Sequence, residues 1–323
     1  MLVFALENSR EFGEKIAGEL DIALSDHEER EFEDGEHKSR PLVNVRNQDV
    51  FIIQSLHGGR QGSVNDMLCR LLFFVAAVKD ASAKSISVVV PYLCYARKDR
   101  RTKARDPVTI RYVAQLFEAV GIDRIVNIDV HNLQAFQNAF RCITEHLEAK
   151  NIFAGYFLEK FRDKEIAVMS PDFGGVKRAD DFRKILEKHS GKSLPLIIME
   201  KMRSKGVISG DAIVGDVKGK NVIIIDDLIA SGSTMLRAAK ACLNLGADAV
   251  YAVATHASFS SRAGEILSDD AIREIVISDS IPLKLPHSKL QQKIKVLSVA
   301  PLFAEAIKRI HAGGSLVDLL KDE

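Results

Sequence analysis

The chain has 323 residues, with 45 Lys and Arg against 44 Asp and Glu, 46% apolar and 28% charged residues. At about 150 residues per domain this length implies two domains, and a net charge of +1 argues against a surface built for nucleic acid or an anionic membrane. The longest apolar run, 71–78, falls far short of the roughly 20 residues that a bilayer requires, and the amino terminus meets Glu7 too early for a secretory segment.

Short β-branched runs alternate with helical patterns, the signature of an α/β protein with mostly parallel sheets. In chain order the expected strands are 50–54, 85–92, 124–130, 166–170, 196–200, 221–226 and 249–255. Each is a near-continuous apolar run, as a strand covered on both faces should be. After the first, Ser63 with Asp66 three residues on reads as a capping box. Leu68, Leu71, Leu72, Val75 and Val78 then follow at helical spacing. Pro107 reads as the N1 residue of a further helix, and Met235 as the start of another. Cys69, Cys94, Cys142 and Cys242 form no C-x-x-C pair, which suits buried thiols in a reducing, cytoplasmic setting.

Residues 116–131 read against 241–256 at a constant offset of 125, so that Gly121 and Gly246, Asp123 and Asp248, and His131 and His256 coincide. Each copy runs helix, glycine turn, strand, then a histidine beyond the strand's carboxyl end. Any helix–glycine–strand unit has part of this pattern. The fuller reading is two related domains, 1–147 and 148–323, with the last helix packing back on the first domain. In open α/β sheets ligands collect beyond the carboxyl ends of strands, and the chemistry-bearing segments fall there.

In residues 222–235 a buried strand ends in Asp226–Asp227, followed by small residues and a helix start. Ser231, Gly232, Ser233 and Thr234 offer amides and hydroxyls to a phosphate at a helix amino terminus, and the carboxylates can accept bonds from sugar hydroxyls. The bland alternative is a solvated turn. Residues 91–109 carry six positive charges between Arg97 and Arg105 against one carboxylate, Asp99. That density suits a polyphosphate under a loop that closes; the alternatives are a solvated loop or a nucleic-acid contact, for which no aromatic signature is present.

The first segment resembles the phosphoribosyl-diphosphate motif shared by type I phosphoribosyltransferases and ribose-phosphate diphosphokinases, and alone does not separate them. The second, as A-R-x-D-R…R-x-P-[IV]-T, resembles the flexible loop and ATP site of the diphosphokinases, which phosphoribosyltransferases lack. FEDGE (32–36), IDVHNLQ (128–134), SPDFGGVKRA (170–179) and MEKMR (199–203) resemble further segments of that family in its order. On these motifs the chain is identified as a member of the ribose-phosphate diphosphokinase family.

The resemblance implies two tandem type I phosphoribosyltransferase-like domains. It implies transfer of the β,γ-diphosphoryl group of Mg-ATP to the 1-hydroxyl of ribose 5-phosphate, giving 5-phosphoribosyl 1-diphosphate and AMP for nucleotide, histidine and tryptophan biosynthesis. It assigns catalysis to Lys201, Arg203, Arg97 and Arg101. ATP falls to Phe32, Asp34, Glu36, Arg97, Lys98, Asp99 and His131, with Phe32 serving a neighbouring subunit, so a homo-oligomer with a shared ATP site is implied. Ribose 5-phosphate falls to Asp226, Asp227, Ala230, Ser231, Gly232, Ser233 and Thr234, and Mg²⁺ to His131 and Asp172. No nucleic-acid or membrane partner is implied.

A type I phosphoribosyltransferase would leave the basic loop and FEDGE without a role. A non-catalytic regulatory homologue typically interrupts the loop or loses Lys-x-Arg, and neither loss is present here. The chain departs from the family at Ala230-Ser231-Gly232-Ser233-Thr234, where most relatives read D-T-[AC]-G-T, and at Lys98, where many have Gln. One extra residue lies between His131 and Phe140. A regulatory phosphate site of many relatives draws on Ser-Val-Arg and Ser-x-Ser segments, here Asn44-Val45-Arg46 and Ser315-Leu316-Val317. Two lost hydroxyl donors imply weak phosphate activation and weak inhibition by ADP.

Overall fold

The computed structural model describes residues 1–59, 62–204, 207–283 and 289–320, with 200–204, 207–212 and 320 described in backbone only. The first half runs β1 (Leu2–Ala5), α1 (Arg10–Glu19), β2 (His27–Glu31), β3 (His37–Pro41), β4 (Asp49–Ile53) and α2 (Val64–Asp80). It continues through β5 (Ser85–Val89), α3 (Thr109–Ala119), β6 (Arg124–Ile128), α4 (Leu133–Ala139) and β7 (Ile143–Leu147). The second half runs α5 (Lys150–Lys160), β8 (Ile166–Ser170), α6 (Val176–Ser190), β9 (Leu196–Ser204), β10 (Val207–Val214) and β11 (Asn221–Ile229). It closes with α7 (Ser233–Asn244), β12 (Ala249–Ala257), α8 (Ala263–Leu267), β13 (Glu274–Ser278), α9 (Lys289–Lys293), β14 (Ile294–Leu297), α10 (Ala300–Ala312) and α11 (Val317–Leu320).

The strands form an all-parallel sheet in the order β1-β4-β5-β6-β7 and a seven-stranded sheet in the order β10-β9-β8-β11-β12-β13-β14. In the larger sheet only β10 runs antiparallel, against β9. All seven expected strands are present, three of them longer than their apolar runs: β9 reaches Ser204, β11 Ile229 and β12 Ala257. β11 therefore continues past Asp226 and Asp227, and His256 lies inside β12 rather than beyond it. Ser63 makes both bonds of its capping box with Asp66, and all five apolar residues expected on that helix are buried. Pro107 is not N1: α3 begins at Thr109 with Val108 as its N-cap. The helix expected at Met235 begins at Ser233.

The repeated turn is the same in both copies. Gly121 and Gly246 share a φ of +88°, a backbone conformation that favours glycine. Their amides donate to Glu118 O and Leu243 O, each at 3.0 Å, and the next amides reach Phe117 O and Cys242 O. One apolar core joins the halves through α1, α5 and α10, where Phe12 meets Phe303 edge-on at 5.7 Å. Cys94 and Cys242 are buried, but Cys142 is half-buried and Cys69 exposed, because Cys69 lies on the outward face of α2. Among the described residues no helix is long and apolar enough to cross a membrane.

Candidate active site

Four apolar residues, Val222 to Ile225, are buried in the larger sheet and anchor β11 just ahead of Asp226 and Asp227. Asp172 caps the turn into α6, its Oδ1 accepting the amides of Gly174 at 2.9 Å and Gly175 at 3.2 Å. A Cβ on Gly175 would stand 2.9 Å from Ser170 Oγ, so the turn needs glycine. The first turn of α6 then carries Arg178, whose Nη1 lies 3.0 Å from Asp226 Oδ1 and 3.3 Å from Asp227 Oδ1.

From the other half, His131 Nδ1 lies 2.8 Å from Asp227 Oδ2. Asp227 is 4% exposed. Burial alone would raise its pKa, but the bond to His131 and the charge of Arg178 outweigh it and hold the carboxyl below the usual range. Burial and the adjacent Asp227 charge push Asp226 well above that range. The bond to Asp227 raises His131 against the opposing effect of burial. The cluster thus holds one carboxylate firmly ionised beside one that burial drives toward its neutral form.

Asn132 Nδ2 donates to Asp99 Oδ2 at 2.6 Å, which ties the basic loop to the histidine turn. Within that loop Asp106 Oδ2 accepts from Lys98 Nζ at 2.6 Å, Thr102 Oγ1 at 2.7 Å, and the amides of Thr102 and Lys103 at 3.1 and 3.0 Å. These bonds, that of Lys98 foremost, hold Asp106 well below its ordinary pKa. Lys98 is therefore engaged inside the loop. Arg97 and Arg101 are exposed, and among the described residues neither has a carboxylate partner.

Gly232 is the N-cap of α7 at φ +81°, and a Cβ there would lie 2.4 Å from Leu267 Cδ2. Both the conformation and the close approach require glycine. Ser231 Oγ and Ser233 Oγ are 2.9 Å apart, and Ala230 O accepts the Ser260 amide. First-turn amides of a helix have no intrahelical carbonyl to reach; that of Ser233 bonds Ser231 Oγ at 3.3 Å, which leaves those of Thr234 and Met235 at the open end of the helix.

The structure brings together His131, Asp226, Asp227 and, through Asn132, Asp99. It does not bond Asp172 to His131. Phe32, Asp34 and Glu36 form the tip of the β2–β3 hairpin, where Phe32 N donates to Glu36 O at 2.7 Å. Arg30 lies 5.2 Å over the Phe32 ring, which is 41% exposed. Among the described residues no hydrogen bond or ring contact joins this tip to the Asp227 cluster. Lys201 and Arg203 lie on β9, opposite Asp211 and Ile208 of β10; their side chains lie outside the described residues. Sequence reasoning missed Arg178, Asn132 and Asp106. Arg178 had a signal: an arginine in the first turn of a helix that follows a strand can face the end of the neighbouring strand.

Among the described residues no group of three or more His, Cys, Asp or Glu side chains could cage a metal. Mg²⁺ rarely needs one, because it binds through one or two protein groups plus substrate phosphates and water. The ionised Asp227 can only accept, so His131 donates from Nδ1 and, when neutral, keeps its Nε2 lone pair for a ligand, the arrangement of a carboxylate-oriented metal ligand. Asp172 keeps Oδ2. The residues present fit the ion.

Two like-built halves, one offering a carboxylate pair and a phosphate-sized loop and the other a cation-rich loop, define an α/β transferase of the phosphoribosyl type. Residues 1–121 match the model of the N-terminal domain of ribose phosphate pyrophosphokinase, and residues 187–321 that of the phosphoribosyl synthetase-associated domain. The chain is 43% identical over 318 residues to a ribose-phosphate pyrophosphokinase of Caldanaerobacter subterraneus, covering 98% of this chain and 96% of that one. It is 42% identical to the enzyme of Fusobacterium nucleatum, with 98% and 97% covered. The crystal structure of phosphoribosylpyrophosphate synthetase from Mycobacterium smegmatis matches with a TM-score of 0.86 at 33% identity, over 97% of this chain and 99% of that one. The chain belongs to the ribose-phosphate pyrophosphokinase family, a family of kinase-like diphosphotransferases, which decides between the two families the sugar-phosphate motif left open.

Proposed function

We propose that the chain transfers the β,γ-diphosphoryl group of ATP to the anomeric hydroxyl of ribose 5-phosphate where the carboxyl ends of β6 and β11 meet. The observation that carries this reading is the 2.8 Å approach of His131 Nδ1 to Asp227 Oδ2. It sets a histidine of the basic-loop half directly on a carboxylate of the sugar-phosphate half.

Asp226 and Asp227 take the ribose hydroxyls, and residues 230–234 take the 5-phosphate on the amides that open α7. The anomeric hydroxyl attacks the β-phosphorus, its proton passes to solvent, and AMP leaves. Such a transfer is mostly positioning and charge neutralisation. Arg97 and Arg101, exposed on a loop that Asp106 cross-ties, meet the polyphosphate, and Lys201 and Arg203 the charge that develops on transfer. Mg²⁺, when bound, neutralises the phosphates and orients them; His131 through Nε2 and Asp172 through Oδ2 would hold it. Lys98 acts by shaping the loop, and Asp99 by holding the His131 turn through Asn132.

The hairpin tip of Phe32, Asp34 and Glu36 stands apart from the Asp227 cluster, which supports a homo-oligomer in which it serves a neighbour's adenine. Residues 1–147 and 148–323 are the two domains, with α10 packed on α1, and the enzyme works in the cytoplasm. Formation of AMP from ATP strictly dependent on ribose 5-phosphate tests the reading. AMP without the sugar, or no AMP at all, contradicts it.

A further inference from the structure

Asp129 has a φ of +43°, in the left-handed region, a strained conformation for a side-chain-bearing residue that persists only where its surroundings over-determine it. Its amide donates to Leu147 O at 3.0 Å, and its Oδ2 accepts the Ala149 amide at 3.1 Å. Both partners lie at or just beyond the end of β7. Two further contacts cross from the other half, and one comes from β7 itself. Thr255 Oγ1 donates to the same Oδ2, and His256 Nε2 lies 3.1 Å from the carbonyl of Ile128. The Val130 amide donates to His146 Nε2 at 3.2 Å.

Thr255 and His256 are buried in β12. Burial lowers the pKa of His256; its Nε2 donates to the Ile128 carbonyl, and its Nδ1 lies 2.9 Å from Ser280 Oγ. The turn 128–130 is thus gripped at each residue, and the next residue in the chain is His131.

We propose that Thr255 and His256 are positioning residues that clamp the 128–130 turn and so set the His131 imidazole on Asp227. Thr255 supplies one of the two donors that fix the Asp129 carboxylate. Without it the strained φ can relax, and the displacement passes along two peptide units to His131. The clamp rests on the reading that His131 serves the transfer.

The test is a double-mutant cycle on the intact enzyme with Thr255→Val, which removes the hydroxyl at nearly constant shape, Thr255→Ser, which keeps it, and His131→Ala. Thr255→Val should lower kcat about tenfold, the scale of a small misplacement, with the KM values for ATP and ribose 5-phosphate within about twofold. Thr255→Ser should restore the rate. In the His131→Ala background the same Thr255→Val change should cost less than about twofold, because residues that act as one unit are non-additive. An unchanged kcat for Thr255→Val, or an equal fold-loss in both backgrounds, overturns the clamp. If His131→Ala alone keeps full turnover, the reading of the site fails, and the clamp with it. Should Thr255→Val melt below the assay temperature, Thr255→Ala removes the same donor with a smaller side chain and is read by the same criteria.

Discussion

Residues 116–131 and 241–256 share the glycine conformation and the pair of turn hydrogen bonds, then diverge where the first copy leaves β6 at Asp129 and the second stays in β12. They end on histidines with opposite surroundings. His131 is half in solvent and bonds a carboxylate, which raises its pKa. His256 is buried between a carbonyl and a serine hydroxyl, which lowers it. The local sequence builds the unit, and the neighbour across the seam decides what the histidine does. On the proposed reading one copy supplies a working group and the other supplies part of its mount.

The largest expected effect lies outside both copies. Lys201→Ala or Arg203→Ala should lower kcat by roughly 10³-fold or more with ATP binding intact, the size expected of a transition-state cation. Steady-state rates with a separate nucleotide-binding measurement check this, and near-normal turnover would remove that residue from the mechanism.

The histidines themselves should then separate by what each loses. His131→Ala should lower kcat by about 10- to 100-fold, as for a disturbed metal site, and raise the Mg²⁺ requirement while barely changing thermal melting. His256→Ala should lose about 2–4 kcal/mol of stability, from a cavity and a buried carbonyl left without the ring's N–H. Equal stability losses for the two variants would break the comparison.

A smaller effect sharpens it from the side of the carboxylates. Asp226 has its pKa raised by burial and by Asp227. The folded state therefore holds a proton that the unfolded chain releases above about pH 4, and stability falls as pH rises toward neutrality. Asp226→Asn should remove this penalty and stabilise the protein at pH 8 by about 1–3 kcal/mol, with no gain near pH 4. Melting curves at the two pH values should show the gain at the higher one only, alongside a loss of affinity for ribose 5-phosphate.

The smallest expected effect is regulatory. Asn44 uses its side-chain carbonyl on the Arg46 amide at 3.0 Å, and Val317 has no hydroxyl to offer. Initial rates should change less than about twofold on adding phosphate to a phosphate-free buffer, since a site short of two donors binds weakly. A strong phosphate requirement would show that other groups rebuild the site.

What was legible in the sequence follows from burial. Continuous apolar runs such as 166–170 and the capped helix after Ser63 announce themselves because both faces, or one helical stripe, are covered. The ribbon of β2 and β3, HEERE against HKSRP, carries no such pattern, since it stands outside the two main sheets and pairs only with itself. The edge strand β7, ITEHL, buries only its last residue fully, and it too passed unread. At the site, acidic pair, basic loop and phosphate loop were readable as local motifs. The links that join them were not. Arg178 to Asp226, His131 to Asp227 and Thr255 to Asp129 are contacts between residues 48, 96 and 126 positions apart, which no local pattern encodes.

The chain is proposed to move an intact diphosphoryl group where the carboxyl ends of β6 and β11 meet. Phosphorus NMR of the purified enzyme with Mg-ATP and ribose 5-phosphate tests it most directly, because it identifies which phosphorus becomes bonded to the sugar. The account predicts AMP and an anomeric sugar diphosphate in equal amounts, with the former β-phosphorus on the C1 oxygen. ADP together with a sugar carrying a single new phosphate would place the attack at the γ-phosphorus and contradict it.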